Sequence, residues 1–142
     1  MSAIVAALAL MAGVWLTAST ARVHGQDPQK SRPSLSLRAN PVVAFAPADI
    51  LFVGELRGGA NDYEEFYCAT VEWDWDDDTK SEMTEDCEPY EPAKSEIRRR
   101  FTMRHRFEYS GDYEVRLHLK NKDKVLTSAR VRIEVRGGTP RF

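Results

Sequence analysis

The chain has 142 residues, of which 42% are hydrophobic, 30% charged and 10% aromatic, and its net charge is −2. This length accommodates one domain with a tail, and this composition excludes collagen-like, fully disordered and multi-span membrane proteins. The near-neutral charge gives no indication of binding to nucleic acid, so we expect no nucleic-acid partner.

The N-terminal segment has the pattern of a secretory signal peptide. Residues 3–16 carry no charged or strongly polar side chain, and small and polar residues follow them. This run is short for a membrane-spanning helix, which needs about 20 apolar residues. We expect cleavage after Gly25, with Ala21 as the alternative site, and a secreted, periplasmic or cell-surface protein without a stable membrane span. An uncleaved anchor is the competing interpretation, because no Lys or Arg precedes the apolar run.

Cys68 and Cys87 are the only cysteines. An isolated even pair in an exported protein is usually a disulfide, and two buried free thiols are the alternative. Neither cysteine belongs to a C-x-x-C motif, and no histidine stands at zinc-finger spacing, so we expect no structural zinc. We predict a disulfide that folds the intervening loop over the outer face of its strand and closes a loop of about 20 residues.

The mature chain is predicted to be one β-rich domain. We assign residues 1–25 to the signal peptide, 26–33 to a flexible lead-in, 34–137 to the domain and 138–142 to a C-terminal tail. Residues 66–75 alternate as one strand, with Tyr67, Ala69, Val71, Trp73 and Trp75 on the inward face. Alternation also marks residues 97–107, 113–119 and 125–135. About seven antiparallel strands with one apolar face each are typical of a two-sheet β-sandwich.

The inward positions of these strands predict the core between the two sheets. The predicted core residues are Trp73, Trp75, Phe107, Tyr113, Val115, Leu117, Val131 and Ile133. The inward row of the last strand is predicted to be Val125, Thr127, Ala129, Val131, Ile133 and Val135. His105 shares the inward row with Phe107, so we expect it to be a core histidine hydrogen-bonded to the backbone.

Two motifs resemble those of the polycystic-kidney-disease (PKD) domain, an immunoglobulin-like family. Trp73-Asp74-Trp75-Asp76-Asp77-Asp78 resembles the family's W-D-F-G-D-G turn, with Asp76 and Asp78 at the glycine positions and Trp75 at the phenylalanine. His105, Phe107, Gly111, Tyr113, Val115 and Leu117 match the signature H-x-Y/F-x-x-x-G-x-Y-x-V-x-L at every position. Asp tolerates a positive φ better than most residues, so the turn is expected to persist.

The resemblance covers about residues 34–135 and implies a fold and a class of function. It implies an all-β, immunoglobulin-like two-sheet antiparallel sandwich. PKD-like domains accompany secreted enzymes and surface proteins, so the resemblance also implies a role in adhesion, spacing or association with a substrate. It implies no ligand.

Charge is segregated along the sequence. Residues 62–91 contain 13 acidic side chains and one basic, whereas residues 94–136 contain 13 basic and six acidic. Acidic and basic strands that pair across a sheet would explain this pattern. The alternative is a Ca²⁺ site made by Asp76, Asp77, Asp78 and Asp86, although EF-hand spacing is missing, and we expect no other cofactor. Arg98, Arg100, Arg104 and Arg106 form a basic row that suits an anionic polymer or a solvated strand face.

The sequence predicts a non-enzymatic protein. The mature part has two histidines, His105 and His118, and no G-x-S-x-G, H-E-x-x-H or phosphate-loop motif. The first hypothesis is an exported PKD-like binding or structural module that contacts protein or polysaccharide at the cell envelope or outside the cell. The second is a soluble inhibitor or carrier that acts through the acidic insert, residues 79–92, with or without Ca²⁺. A small hydrolase that uses paired carboxylates ranks last.

Cleavage of the leader is directly testable. Intact-mass analysis of the native protein is expected to give a chain that starts at or near Gln26, because the uncharged run at residues 3–16 is followed by small residues. A mass that retains residues 1–25 would contradict this prediction and favour the uncleaved anchor.

Overall fold

Eight β-strands form the domain in this computed structural model, which describes residues 31–138. The strands are β1 (Ser34–Asn40), β2 (Val43–Phe45), β3 (Ala48–Arg57), β4 (Thr70–Asp74), β5 (Lys80–Met83), β6 (Arg100–Phe107), β7 (Gly111–Asn121) and β8 (Lys124–Arg136). A short 3-10 turn, Glu64–Phe66, precedes β4. The predicted signal peptide, its cleavage site and residues 139–142 lie outside the described residues. Within residues 31–138, no helix is long and apolar enough to cross a membrane.

The strands form two sheets. One has the order β1-β3-β6 and the other the order β2-β8-β7-β4-β5. The prediction of an all-β protein with two sheets is confirmed. The expectation that all strands are antiparallel is wrong in one detail, because β2 pairs in parallel with β8. β5 is a strand that the alternation does not predict. β2 is parallel because the chain leaves the first sheet after β1 and joins the second one alongside the end of β8.

Aromatic rings fill the space between the two sheets. The ring of Phe52 on β3 lies 5.3 Å from Trp75, 6.4 Å from Trp73 and 6.2 Å from Phe107, measured between centroids. All four side chains are almost completely buried. Because rings of this size bury much more area than aliphatic side chains, this cluster dominates the packing of the core.

Most of the predicted core is confirmed. Trp73, Trp75, Phe107, Val115, Leu117 and Ile133 are buried, while Tyr113 and Val131 are partly buried and pack against them. The opposite sheet contributes inward residues of β3, among them Ile50 and Phe52. Gly54 on β3 allows the sheets to approach closely, since a Cβ at this position would lie 2.2 Å from Cδ2 of Leu117.

The predicted strand at residues 66–75 is shorter than the alternation indicates. β4 begins only at Thr70. Phe66, assigned to the outward set, is buried at the end of the 3-10 turn, and Cys68 has a φ of 53°. This left-handed residue interrupts the extended backbone, so the period-2 parity counted back from Trp73 does not reach Phe66 or Cys68.

The last strand contains a second departure from simple alternation. A register shift between β7 and β8 places Leu119 opposite Thr127 but Lys120 opposite Val125. The extra residue on β8 reverses the parity beyond it, so Val125 is 47% exposed instead of inward. Leu126 packs against the core in its place.

The end of the predicted lead-in packs against the domain. Pro33 is buried, and the backbone carbonyl of Ser31 accepts a hydrogen bond from the N–H of Ala60 at 3.1 Å. Arg32 forms an ion pair with Glu65 at 2.8 Å. Residues 31–33 of the predicted lead-in therefore belong to the packed domain.

Removal of one core tryptophan tests this packing. Trp73→Ala is expected to lower the free energy of unfolding by about 3–5 kcal/mol, because it removes a buried ring and leaves a cavity. Tyr109→Ala is the matched control: its ring is 80% exposed, and we expect a change below about 0.5 kcal/mol. Urea denaturation measures both variants, and an unchanged midpoint for Trp73→Ala would show that the core is assigned incorrectly.

Candidate functional site

The turn between β4 and β5 contains two aspartates in the left-handed backbone conformation. Asp76 and Asp78 have φ values of 60° and 65°. The N–H of Asp76 donates to Oδ1 of Asp74 at 3.2 Å, and the N–H of Thr79 donates to Oδ1 of Asp77 at 3.1 Å. These local side-chain acceptors stabilise the turn in the way that Asx turns do.

His105 connects this turn to the other sheet. Its ring stacks on Trp75 with a centroid distance of 4.2 Å and an interplanar angle of 1°. Its Nε2 lies 2.7 Å from Oδ2 of Asp77. The predicted backbone partner of His105 is therefore replaced by a carboxylate from the aspartate turn, a partner that strand alternation cannot reveal.

The environment of Asp77 favours its charged form. Burial opposes ionisation, but the hydrogen bonds from Thr79 and with His105 outweigh it and hold the pKa of Asp77 below its usual value. The carboxylate thus completes a chain of contacts from the β4–β5 turn through His105 to the core ring of Trp75.

Tyr113 closes the same end of the core. Its hydroxyl donates to the backbone carbonyl of Tyr109 at 2.8 Å. Its ring lies 4.6 Å from that of Phe107. Burial raises the pKa of Tyr113, and the nearby carboxylates of Asp77 and Asp76 act in the same direction. The signature residues therefore hold one another in place.

Two of the four aspartates considered for Ca²⁺, Asp76 and Asp77, serve as internal acceptors. Oδ2 of Asp76 accepts the backbone N–H of Glu114 at 2.8 Å, and both oxygens of Asp77 have partners in Thr79 and His105. Asp86 lies beyond β5, next to Cys87. Within residues 31–138, no group of three or more His, Cys, Asp or Glu side chains is arranged to hold a metal ion.

The predicted disulfide between Cys68 and Cys87 is present, with Cα atoms 6.1 Å apart. The hydroxyl of Tyr67 also donates to the carbonyl of Glu88 at 2.8 Å, and that of Tyr90 to the carbonyl of Asp62 at 2.6 Å. The acidic insert is therefore held at several points. Its first part is β5, which the sequence did not predict because the segment has no apolar alternation.

The disulfide spans the side of the domain and not the outer face of a strand. It lies over a cavity of about 320 Å³ whose lining includes Phe66, Val71, Ile97 and Phe101. Cys68 turns in this direction because its positive φ breaks the parity on which the outward assignment rested. Arg98, which also lines the cavity, pairs with Glu85 of the insert.

Charges that are segregated in sequence balance on the outer face of the five-stranded sheet. The register places six acidic and six basic residues there: Glu72, Asp74, Glu82, Asp112, Glu114 and Glu134 with Lys80, Arg116, Lys120, Arg130, Arg132 and Arg136. Lys120 joins the strands, with Nζ 2.8 Å from Glu72 and 3.2 Å from Glu82, and its hydrogen bond lowers the pKa of Glu72. Cross-strand pairing therefore explains much of the charge pattern.

The two histidines of the domain lie in different environments. His105 lies on the inward row of β6, whereas His118 lies on the outer face of β7, opposite Glu72 and Ser128. Burial lowers the pKa of His118, and its Nδ1 has no hydrogen-bond partner among the described residues.

Exposed apolar residues gather at one end of the domain, where β2 runs beside the end of β8. Val42, Val43 and Phe45 are 51%, 42% and 46% exposed. Val43 and Phe45 lie opposite Glu134 and Arg136 in the register and so share the outer face. We call this surface the apolar end.

A groove of about 520 Å³ accompanies the apolar end. Its lining comprises Val42, Val43, Asp76, Asp112, Tyr113, Glu114, Arg132, Ile133 and Glu134. Apolar side chains surrounded by charged groups are the usual composition of a contact surface. The sequence marks this surface only by three large apolar residues, Val42, Val43 and Phe45, in a segment too short to bury them.

The comparisons with known proteins add no family. Neither a protein-family model nor a curated protein matches the chain.

The pairing of Asp77 with His105 predicts a pH-dependent contribution to stability. Because the pKa of Asp77 is lowered in the folded state, the stabilisation is fully present above the unfolded value of about 3.9 and is lost as the pH falls through the folded pKa. Asp77→Asn should therefore be less stable than the wild type at neutral pH, and the difference should shrink towards acidic pH.

Asp78→Asn is the matched control, because Asp78 is exposed and Asn also tolerates its positive φ. Urea denaturation at several pH values measures all three proteins. A difference between wild type and Asp77→Asn that does not change with pH would contradict the assigned role.

Proposed function

We propose that this protein is an exported, non-catalytic binding module with a PKD-like, immunoglobulin-like β-sandwich, and that it contacts protein or polysaccharide through the apolar end. The single observation that carries the proposal is the gathering of Val42, Val43 and Phe45 on an exposed sheet edge beside a groove of about 520 Å³. Contiguous apolar surface of this kind marks an interaction site on a small domain.

The strand order supports the immunoglobulin-like assignment. If β1, β3, β4, β6, β7 and β8 are equated with strands A, B, C, E, F and G, the sheets have the orders A-B-E and G-F-C of that fold. Tyr113 near the start of β7 also donates to the backbone four residues upstream, as a tyrosine corner does. The positive φ of Asp76 and Asp78 fits the glycine positions of the PKD turn.

Two features support export and the absence of catalysis. The Cys68–Cys87 disulfide suits an oxidising compartment, in agreement with the signal-peptide pattern of residues 1–25. His105 lies between the two sheets, whereas His118 lies on the outer face of the five-stranded sheet. His105, Asp77 and Tyr113 are engaged with one another or with backbone. They are assigned to holding the fold.

The composition of the groove favours a protein partner. Its apolar residues lie among four carboxylates and a single arginine, Arg132. This arrangement suits an apolar side chain flanked by Lys or Arg, as protein surfaces provide. The inhibitor or carrier hypothesis for the acidic insert has weaker support, since Glu82 and Glu85 are already paired with Lys120 and Arg98.

A photo-crosslinking residue at position 43 tests the proposal. Val43 and Val125 are similarly exposed, at 42% and 47%, but Val125 lies at the β7–β8 turn and is the matched control. In the native envelope or culture medium, the proposal predicts one discrete adduct from position 43 that Phe45→Asp removes, and no such adduct from position 125. Absence of an adduct at 43, or the same adduct from both positions, would contradict it.

A further inference from the structure

The β6 edge, defined as the side of β6 that faces away from β3, is an open strand edge. β6 (Arg100–Phe107) pairs with β3 on one side only and ends the order β1-β3-β6. In a constant-type immunoglobulin sheet a fourth strand lies at this place. Residues 84–99, which connect β5 to β6, form no strand there.

The direction of the backbone groups identifies which residues are unpaired. The N–H of Leu56 donates to the carbonyl of Arg99, so in the antiparallel ladder the odd-numbered residues of β6 bond to β3. The N–H and C=O groups of Thr102, Arg104 and Arg106 therefore point outward along the β6 edge. Within residues 31–138, no other strand pairs with them.

Within the described part of the chain, the three-stranded sheet is covered at its β1 edge but not at its β6 edge. β1 packs against β8, and the chain continues from β1 into β2 of the other sheet. On the β6 side, residues 31–138 contribute the Arg98–Glu85 pair just before β6 and the His105–Asp77 pair near its end. The middle of β6 is left accessible, and Thr102 and Arg104 are exposed.

The outer face beside this edge is strongly basic. The register places Arg38, Arg57, Arg100, Arg104 and Arg106 there, against Asp49 and Glu55. Arg100 shares Glu55 with two other arginines, and Arg106 pairs with Asp49 and Glu108. Arg104 has no acidic partner among the described residues. This excess of arginine over acidic residues contrasts with the balanced charges on the outer face of the five-stranded sheet.

The charge of the arginine row indicates which kind of partner can occupy the β6 edge. A second copy that paired through its own β6 in antiparallel fashion would place arginine beside arginine, which is unfavourable. An extended segment with acidic side chains at alternate positions would place carboxylates beside the same row and satisfy the free backbone groups. We infer that the β6 edge accepts an extended acidic segment of a partner protein as a fourth strand of the β1-β3-β6 sheet.

Binding of designed peptides to the full mature chain tests this inference. The probe is a capped peptide of about ten residues that alternates glutamate and valine, measured by calorimetric titration and by NMR shifts of β6 amides. Binding is expected to shift the amides of Thr102, Arg104 and Arg106. An otherwise identical peptide with lysine in place of glutamate should not bind, and a peptide N-methylated at alternate residues should lose binding because it cannot complete the ladder.

Two protein variants separate this site from general electrostatics. Arg104→Glu is expected to weaken binding of the acidic peptide by about tenfold or more. Arg130→Glu is the control, because Arg130 is 72% exposed on the other sheet, and it should have little effect. Circular dichroism of both variants checks that they are folded.

Three results would overturn the inference. The first is no binding of the acidic peptide. The second is equal binding of its N-methylated form, or equal loss in both variants, which would indicate a non-specific attraction such as that for a sulfated polysaccharide. The third is a dimer of the free protein in which the β6 amides are already protected, which would make a second copy the occupant.

Discussion

The packing of Phe52 against Trp73, Trp75 and Phe107 is the contact on which the rest of the structure depends. It joins β3 and β6 of one sheet to β4 of the other, with ring centroids 5.3–6.4 Å apart around Phe52. His105 extends this cluster by stacking on Trp75 and reaches Asp77 in the β4–β5 turn. The two sheets are therefore held together at the centre and at the aspartate turn, without a disulfide through the core.

This central packing leaves the margins of the sheets free for contacts. The short strand β2 exposes Val43 and Phe45 because its backbone pairs with β8 while no layer within residues 31–138 covers its outer face. β6 is anchored by its inward side chains and by its pairing with β3. The domain thus presents two different surfaces, an apolar end and a basic strand edge, which suit different kinds of partner.

The sequence predicts the fold well where alternation is regular. The inward residues of β7, Val115, Leu117 and Leu119, follow the period-2 rule. The burial of Trp73 and Phe107 on their own strands follows the same rule. The rule fails where the backbone is not extended: at Cys68, with its positive φ, and at the bulge that exposes Val125. Neither irregularity has a glycine or proline to mark it.

The contacts of the candidate surfaces were harder to predict, because they depend on which strands become neighbours. The partner of His105 comes from a turn 28 residues away, and the open edge of β6 results from a connection that forms no strand. The row of arginines was visible in the sequence, whereas its place at a sheet edge required the topology. The segregation of charge along the sequence is similarly explained only by the register between β4, β7 and β8, which places acidic and basic side chains beside one another.

Amide hydrogen exchange of the free protein tests the open edge most directly, because it reads each backbone N–H separately. The account predicts alternate protection along β6: the amides of Phe101, Met103 and His105 exchange slowly, since they donate to β3, while those of Thr102 and Arg104 exchange rapidly. Equal protection of all five amides would contradict it, because it would mean that another strand already occupies the β6 edge.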